Sequence, residues 1–514
     1  MPSTLNAPGI YIEELPSGVR PIVGVSTSDT AFVDWFPRGP IGTATRVTSW
    51  EDFARKFGGL HPQSASSYAV LQYFLHGGAV AWVVRAEVDN AAEKAATFDI
   101  KDSAGTPKVA LRATAANPGT WGNNLQLAVT TGASGFNLFV RETVSGRVVD
   151  SEVFRNLAMT VGASNNAIAV VNGRSRLIRL AAGVAGAGDP KGEAPTPTGD
   201  APDTAYSPFT AGTDVMLSAT GLGPKLATAM RTLASIEPFV FNILCIPAMA
   251  SLSATDQGAL VTAAATFCEA ERAFLLVDPP ESTVTAAAAQ GLLGTAAPAT
   301  KNAALYYPRL EMPDPLADGR MKNIPPSGVV AGVFAKTDAT RGVWKAPAGI
   351  EAAVGGVQLA VAVNEADSGA LNPLGINALR TLPVIGNVVW GARTLFGADT
   401  RASEWKYIPV RRTALFIEQS LDAGLKWVVF EPNDEPLWSQ IRLNVGSFMQ
   451  DMFRKGAFQG TTPREAYFVR CDKNTTTQSD IDKGIVNILV GFAPLKPAEF
   501  VVIQIQQMAG QATA

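Results

Sequence analysis

The chain contains two histidines, His61 and His76, and three cysteines, Cys245, Cys268 and Cys471. These residues bound its chemistry. Fifteen positions separate the histidines, whereas a helix that offers two imidazoles to one metal needs them about four apart. They read as structural or surface residues. Cys245 lies in the apolar run FNILCIPA and Cys268 in the helix-like TAAATFCEAERAF. An odd cysteine count without a C-x-x-C pair fits buried small side chains, not a disulfide framework or a zinc site. No G-x-S-x-G elbow and no H-E-x-x-H occurs. GLGPKLAT at Gly221 lacks the spacing of a phosphate loop and follows no convincing strand. Carboxylates are plentiful, as at Glu13-Glu14 and from Glu431 to Glu435, but no pair is brought together for acid–base work. Neighbours on a strand face opposite sides, so Glu13 and Glu14 read as charges that orient docking. The expectation is no enzyme: no catalytic, cofactor-binding or metal-binding residue.

Other partners are limited by composition. The 514 residues suggest roughly three domains at about 100–200 residues each. Apolar residues make up 47% and charged residues 17%, the balance of a packed globular protein. A formal net charge of −3 gives no basic excess for nucleic acid. The richest basic–aromatic stretch, Arg393 to Arg412 with Trp405 and Tyr407 inside it, reads as a solvated face or a subunit contact. No run reaches the roughly 18 apolar residues that would span a bilayer, so no direct membrane insertion is expected. The opening MPSTLNAPGIYIEELPSG lacks the basic and apolar regions of a signal peptide, which suits assembly in a bacterial cytoplasm.

The elements divide the chain. Residues 1–20 read as an extended arm: Ile10 and Ile12 share one strand face, Tyr11 the other, and Pro16, Gly18 and Pro21 then interrupt the chain. Twenty extended residues reach roughly 65 Å, enough to touch a neighbour. Residues 21–90 read as α/β, with strands at Ile22–Val25, Thr30–Val33 and in AVAWVVRAE. Their two helices are WEDFARKF, capped by Ser49 and ended by Gly58, and a second from about Ser64 to His76. Residues 91–180 alternate in short runs (ATFDI, VALRAT, LQLAVT, FNLFVRET, RVVDSEVF), the mark of an all-β, sandwich-like domain. Residues 181–204 are Gly-, Ala- and Pro-rich, a linker or surface loop. Residues 205–365 alternate helix and strand, which implies a parallel sheet. Residues 366–493 form further α/β structure, dominated by a helix from Pro436 to Lys455 whose Leu437, Trp438, Ile441, Val445, Phe448, Met449, Met452 and Phe453 share one face. Residues 494–514 form a second arm behind Pro494 and Pro497, with Val501, Ile503 and Ile505 on one strand face.

Ten segments, in order, resemble the contractile tail sheath family of contractile phage tails and related injection systems. They are PGIYIEE (Pro8–Glu14), ANPGTWGNNL (Ala116–Leu125), FRNLAM (Phe154–Met159), RAFLLVDPP (Arg272–Pro280), NAALYYPRLEMPDP (Asn302–Pro315), PPSGVVAGVFAKTDATRGVWKAPAG (Pro325–Gly349), INALR (Ile376–Arg380), GARTL (Gly391–Leu395), WKYIPVRR (Trp405–Arg412) and FEPNDEPLW (Phe430–Trp438). The resemblance implies an α/β multidomain fold. Both chain ends would build an inner α/β domain facing a tube, and the all-β domain and a subtilase-like α/β domain would be inserted into it. No histidine lies in 205–365, so a Ser-His-Asp triad cannot form there.

The resemblance further implies hexameric rings of the chain stacked in a helical sheath, with an inner tube protein, baseplate and terminator or cap proteins as partners. The setting would be a phage virion tail or an injection particle. Arms that complete a neighbour's sheet would link subunits through Ile10, Tyr11, Ile12, Val501, Ile503 and Ile505. Pro16, Gly18, Pro21, Pro494 and Pro497 would bound the hinges. Arg454 and Lys455, on the polar face of the long helix, are candidates to meet acidic tube residues. Two alternatives stand beside this reading: a non-contractile self-assembling shell or surface-layer protein, and an α/β hydrolase.

Overall fold

The computed structural model describes residues 20–87, 92–102, 108–183, 195–199, 205–215 and 218–504. Its centre is an eight-stranded sheet, in the order Gly386–Trp390, Ile376–Leu382, Ala303–Tyr307, Phe274–Val277, Ile243–Cys245, Thr30–Asp34, Ala81–Arg85, Thr45–Val47. The six inner strands run parallel and the two edge strands antiparallel. The inner strands are nearly continuous apolar runs because helices cover both faces. Ala31, Val33, Leu244, Leu275 and Val277 pack on one side with the Leu222–Arg231 and Ala254–Ala270 helices. Phe32, Ile243, Cys245, Phe274 and Leu276 pack on the other with Trp50–Phe57, Ala65–Leu75 and Ser327–Arg341. The first of these helices begins where Ser49 accepts from the Asp52 amide at 3.1 Å and ends at Gly58, whose φ of 93° favours glycine.

This sheet corrects two expectations. Ile22–Val25 is not a strand; among the described residues it pairs with no other strand, and it lies on the C-terminal helices. The strands of 21–90 and the Ile376–Leu382 strand of 366–493 do not form a domain apart from 205–365 either, because Thr30 pairs with Ile243 and Ile376 with Leu305. Thr30–Asp34 and Ala81–Arg85 are buried along their whole length, and such strands need partners and covered faces on both sides.

The β-rich unit is inserted between Arg85 and Ile243. One sheet joins Thr97–Lys101, Val109–Ala115 and Ile178–Ala182; the other joins Ser207–Pro208, Leu125–Gly132, Gly135–Val144 and Arg147–Leu157. Both feed one core containing Leu111, Leu127, Leu138, Val140 and Leu180. It is not wholly β, since the Ala167–Arg174 helix adds Ala167 and Val171 to that core. Its boundary also runs past 180: Thr210 and Thr213 bridge back to Thr97 and Lys94.

Two helices, Ile408–Gly424 and Glu435–Arg454, and the antiparallel pair Tyr467–Arg470 and Leu489–Phe492 make the C-terminal unit. Leu437, Trp438, Ile441, Val445, Phe448, Met449 and Met452 form its core as the helical spacing predicts, with Phe453 half-buried beside them. Among the described residues, no helix is long and apolar enough to cross a membrane.

Candidate functional site

The positions that could have carried catalysis are held by structural contacts. The His61 ring stands edge-on to Trp35, 5.0 Å between centroids. The His76 ring nitrogens face the carbonyls of Gln72 (2.8 Å) and Gly355 (3.1 Å). GLGPKLAT opens the Leu222–Arg231 helix, burying Leu222 and Leu226. At the C-terminal ends of parallel strands, where α/β enzymes place their sites, Asp34 and Asp278 tie strands to helices. Asp34 accepts from the amides of Trp35 (2.8 Å) and Ser66 (2.9 Å). Asp278 accepts from the Ser327 amide (2.9 Å) and hydroxyl (2.6 Å). Burial pushes both carboxyls up to about 6, against the pull of these hydrogen bonds. All three cysteines are free and buried. Among the described residues no His, Cys, Asp and Glu cluster could hold a metal.

At its two ends the Arg393–Arg412 stretch is not a solvated face: Arg393, Arg411 and Arg412 are buried, while Arg401 between them is exposed. Arg412 pairs with Asp338 at 2.6 Å and donates to the Thr27 carbonyl at 2.8 Å. Arg411 donates to Asn302 Oδ1 at 2.9 Å. A guanidinium with five donors can be buried when carbonyls and carboxylates surround it, and sequence spacing does not reveal such partners.

The remaining candidates are the chain ends, the first lying on the C-terminal unit and the second leaving it for the eight-stranded sheet. Residues 20–25 lie against its helices. The Arg20 amide donates to Asn444 Oδ1 at 3.2 Å and its guanidinium sits 4.7 Å from the Trp427 ring centre. Ile22 packs so close to Gly424 that a Cβ there would stand 2.7 Å from it. Pro21 is exposed. Ile10, Tyr11, Ile12, Pro16, Gly18 and Ile505 lie outside the described residues.

At the other end, Pro494 bridges to Phe458 and Pro497 borders a cleft of about 920 Å³ between the tail and Trp344, Lys345, Arg380 and Trp390. Glu499 then reaches Arg393, accepting from Nε at 2.8 Å and from Nη2 at 2.6 Å. The Tyr407 hydroxyl donates to the same carboxylate at 3.2 Å, and Asp399 takes Arg393 Nη1 at 2.9 Å. Beyond this anchor Val501 is 82% and Ile503 79% exposed. Arg393 and Glu499 escaped sequence reasoning because 106 positions separate them.

Arg454 and Lys455 end the long helix, both exposed, and Lys455 borders the same cleft. Arg442, on the same polar face, is engaged within the chain by Glu435 at 2.5 Å. The Tyr467–Arg470 and Leu489–Phe492 pair has two strands and therefore two edges. Phe468 and Leu489 are exposed on it.

Two family profiles match in succession: the phage tail sheath protein central domain over residues 223–395 and the phage tail sheath C-terminal domain over 400–508. A putative prophage major tail sheath protein of Pseudomonas aeruginosa (strain UCBPP-PA14) is 28% identical over 253 residues, which is 47% of this chain and 60% of that one. The tail sheath protein of Vibrio phage KVP40 is 27% identical over 186 residues, 36% of this chain and 26% of the relative. The chain thus matches less than two thirds of the length of either. The fold is similar to that of the sheath of an extracellular contractile injection system, the PVC sheath complex in its contracted state. There the TM-score is 0.59 at 23% identity, over 98% of each chain. The collinear motifs, the two successive profiles and the shared fold agree, and the chain belongs to the contractile tail sheath family.

Proposed function

We propose that this chain is the structural subunit of a contractile sheath, stacked in hexameric rings around an inner tube and joined to its neighbours by strand exchange of its two terminal arms. The carrying observation is the C-terminal unit itself. A two-stranded sheet with two edges belongs to the unit on which residues 20–25 lie and from which the chain leaves after Pro494. Two strands alone make a marginal sheet. An arm from another copy adding at each edge would complete it, main-chain hydrogen bonds giving affinity and alternate side chains giving register. Each bond is worth about 0.5–1.5 kcal/mol net, so several per arm suffice to hold a subunit. Head-to-tail repetition of such a contact generates rings and helical stacks.

Contraction in this reading is a rearrangement of nearly rigid subunits about their arms, with work drawn from new contacts and no catalysis by the chain. Two wholly exposed apolar side chains, Val384 and Phe430, support an assembled state. Their φ angles of 70° and 72° are ones such residues avoid. Arg454 and Lys455 are proposed to face the tube. A baseplate and a terminator would close the ends of the particle, a phage tail or an injection device assembled in a bacterial cytoplasm.

Deletion of residues 1–19 or 500–514 tests the linkage. Each deletion is expected to leave a monomer with unchanged circular dichroism that forms no tubes under the electron microscope. Tubes of normal length from both variants would refute strand exchange. Flat sheets from the intact chain would favour the surface-layer alternative.

A further inference from the structure

We propose that Glu499 and Arg393 form a latch that fixes the root of the C-terminal arm, and that the arm links subunits only while this latch sets its point of departure. The inference rests on the strand-exchange reading above and adds the residues that position the arm. After its bridge to Phe458 at Pro494, the chain leaves the C-terminal unit and crosses to the eight-stranded sheet. Leu495, Lys496, Ala498 and Phe500 line the crossing, and an open cleft lies beneath it. Glu499 is turned inward, with its side chain only 15% exposed.

Its partner is built to receive it. The Arg393 side chain is fully buried, and its planar fork gives two parallel hydrogen bonds to Glu499 while Nη1 is held by Asp399 and the Asn372 carbonyl. The Arg393 backbone is stitched in turn to Asn377 of the Ile376–Leu382 strand, through its amide to Oδ1 at 2.7 Å and its carbonyl to Nδ2 at 2.8 Å. A pull on the arm therefore enters the molecule at Glu499 and passes through Arg393 to the sheet. Residues beyond it, from Phe500 to Ile503, touch little of their own chain and are free to pair elsewhere. Glu499 and Arg393 are positioning residues: they hold the arm's root and do not themselves pair with the neighbour.

Glu499→Gln in the full chain keeps the shape and removes the charge. Exchange of the Arg393 Nε proton, which Glu499 holds, is expected to accelerate on the order of tenfold in the monomer, followed by NMR of the arginine side chains. Amide exchange in the eight-stranded sheet should stay unchanged, and tubes should become fewer and shorter. Glu499→Asp, with a carboxylate of shorter reach, should recover part of both. Unchanged Arg393 exchange would overturn the latch, as would normal tubes from a variant whose Arg393 proton exchanges fast. If Glu499→Gln fails to fold, Tyr407→Phe removes a single hydrogen bond to the same carboxylate, and unaltered Arg393 exchange there has the same force. Deletion of 500–514 leaves the latch intact. Normal tubes from that deletion refute the arm reading, while Arg393 exchange in the Glu499→Gln monomer still decides the contact.

Discussion

Asp278 is an ionisable group in a place that disfavours charge. It is fully buried at the end of the Phe274–Val277 strand, and the two Ser327 hydrogen bonds fasten it to the start of the Ser327–Arg341 helix. Burial raises its pKa from 3.8 to about 6, with the Ser327 contacts and the nearby Arg309 pulling the other way. The sign comes from linkage. A raised folded-state value means that the native state holds the proton more tightly, so the favourable contribution is complete below 3.8 and is lost as pH rises through about 6. Asp278→Asn keeps an acceptor for the Ser327 amide and removes the titration. The stability of the variant relative to the parent is therefore expected to improve between pH 4 and pH 8, by an amount on the order of 3 kcal/mol. Melting curves across that range check it; a difference independent of pH would show that the carboxylate is not buried as described.

Helix Ser327–Arg341 meets helix Ala65–Leu75 through glycine. A Cβ on Gly328 would stand 2.3 Å from the Ala69 carbonyl oxygen, and one on Gly332 would stand 2.6 Å from the His76 Cβ. The two backbones thus pack without an intervening side chain. Gly328→Ala must push them apart, and a loss of about 1–3 kcal/mol is expected despite the better helix propensity of alanine. Calorimetry checks the sign: stabilisation would mean that the helices separate freely. At this scale much was legible in the sequence. The period of the Glu435–Arg454 helix, the helical segment around Cys268, the Ser49 cap and all five alternating runs of the β-rich unit appear at the expected places. Strand order was not legible. Apolar runs such as Thr30–Asp34 and Ile243–Cys245 declare burial on two faces but not which run lies beside which. The Arg393–Glu499 contact was hidden for the same reason, since long-range partners leave no periodic trace.

The β-rich unit is joined firmly to the central sheet. Arg38 lies 4.1 Å from the centre of the Trp121 ring and pairs with Glu142 at 2.8 Å, while the buried Arg85 pairs with Glu93, which also accepts from Trp35 Nε1 at 2.8 Å. Charges desolvated on both sides of a joint resist its opening, because either partner alone would be left buried. In the proposed sheath this favours a subunit that moves as one piece, with motion concentrated at its arms and at a proposed grip on the tube. Arg454 and Lys455 allow the grip to be tested. Their place at a helix C-terminus has a local explanation, since cations there complement the helix dipole by about 0.3–1 kcal/mol. A local role and a tube contact differ in their readouts. Replacing both with glutamine should change monomer stability by no more than about 1 kcal/mol in either case. Only a tube contact predicts weaker co-sedimentation with the tube at low ionic strength, with the difference from the parent fading at about 1 M salt, where charges are screened beyond about 3 Å. Equal co-sedimentation at low salt would confine the two cations to capping their helix and move the search for the tube-facing surface elsewhere on the C-terminal unit.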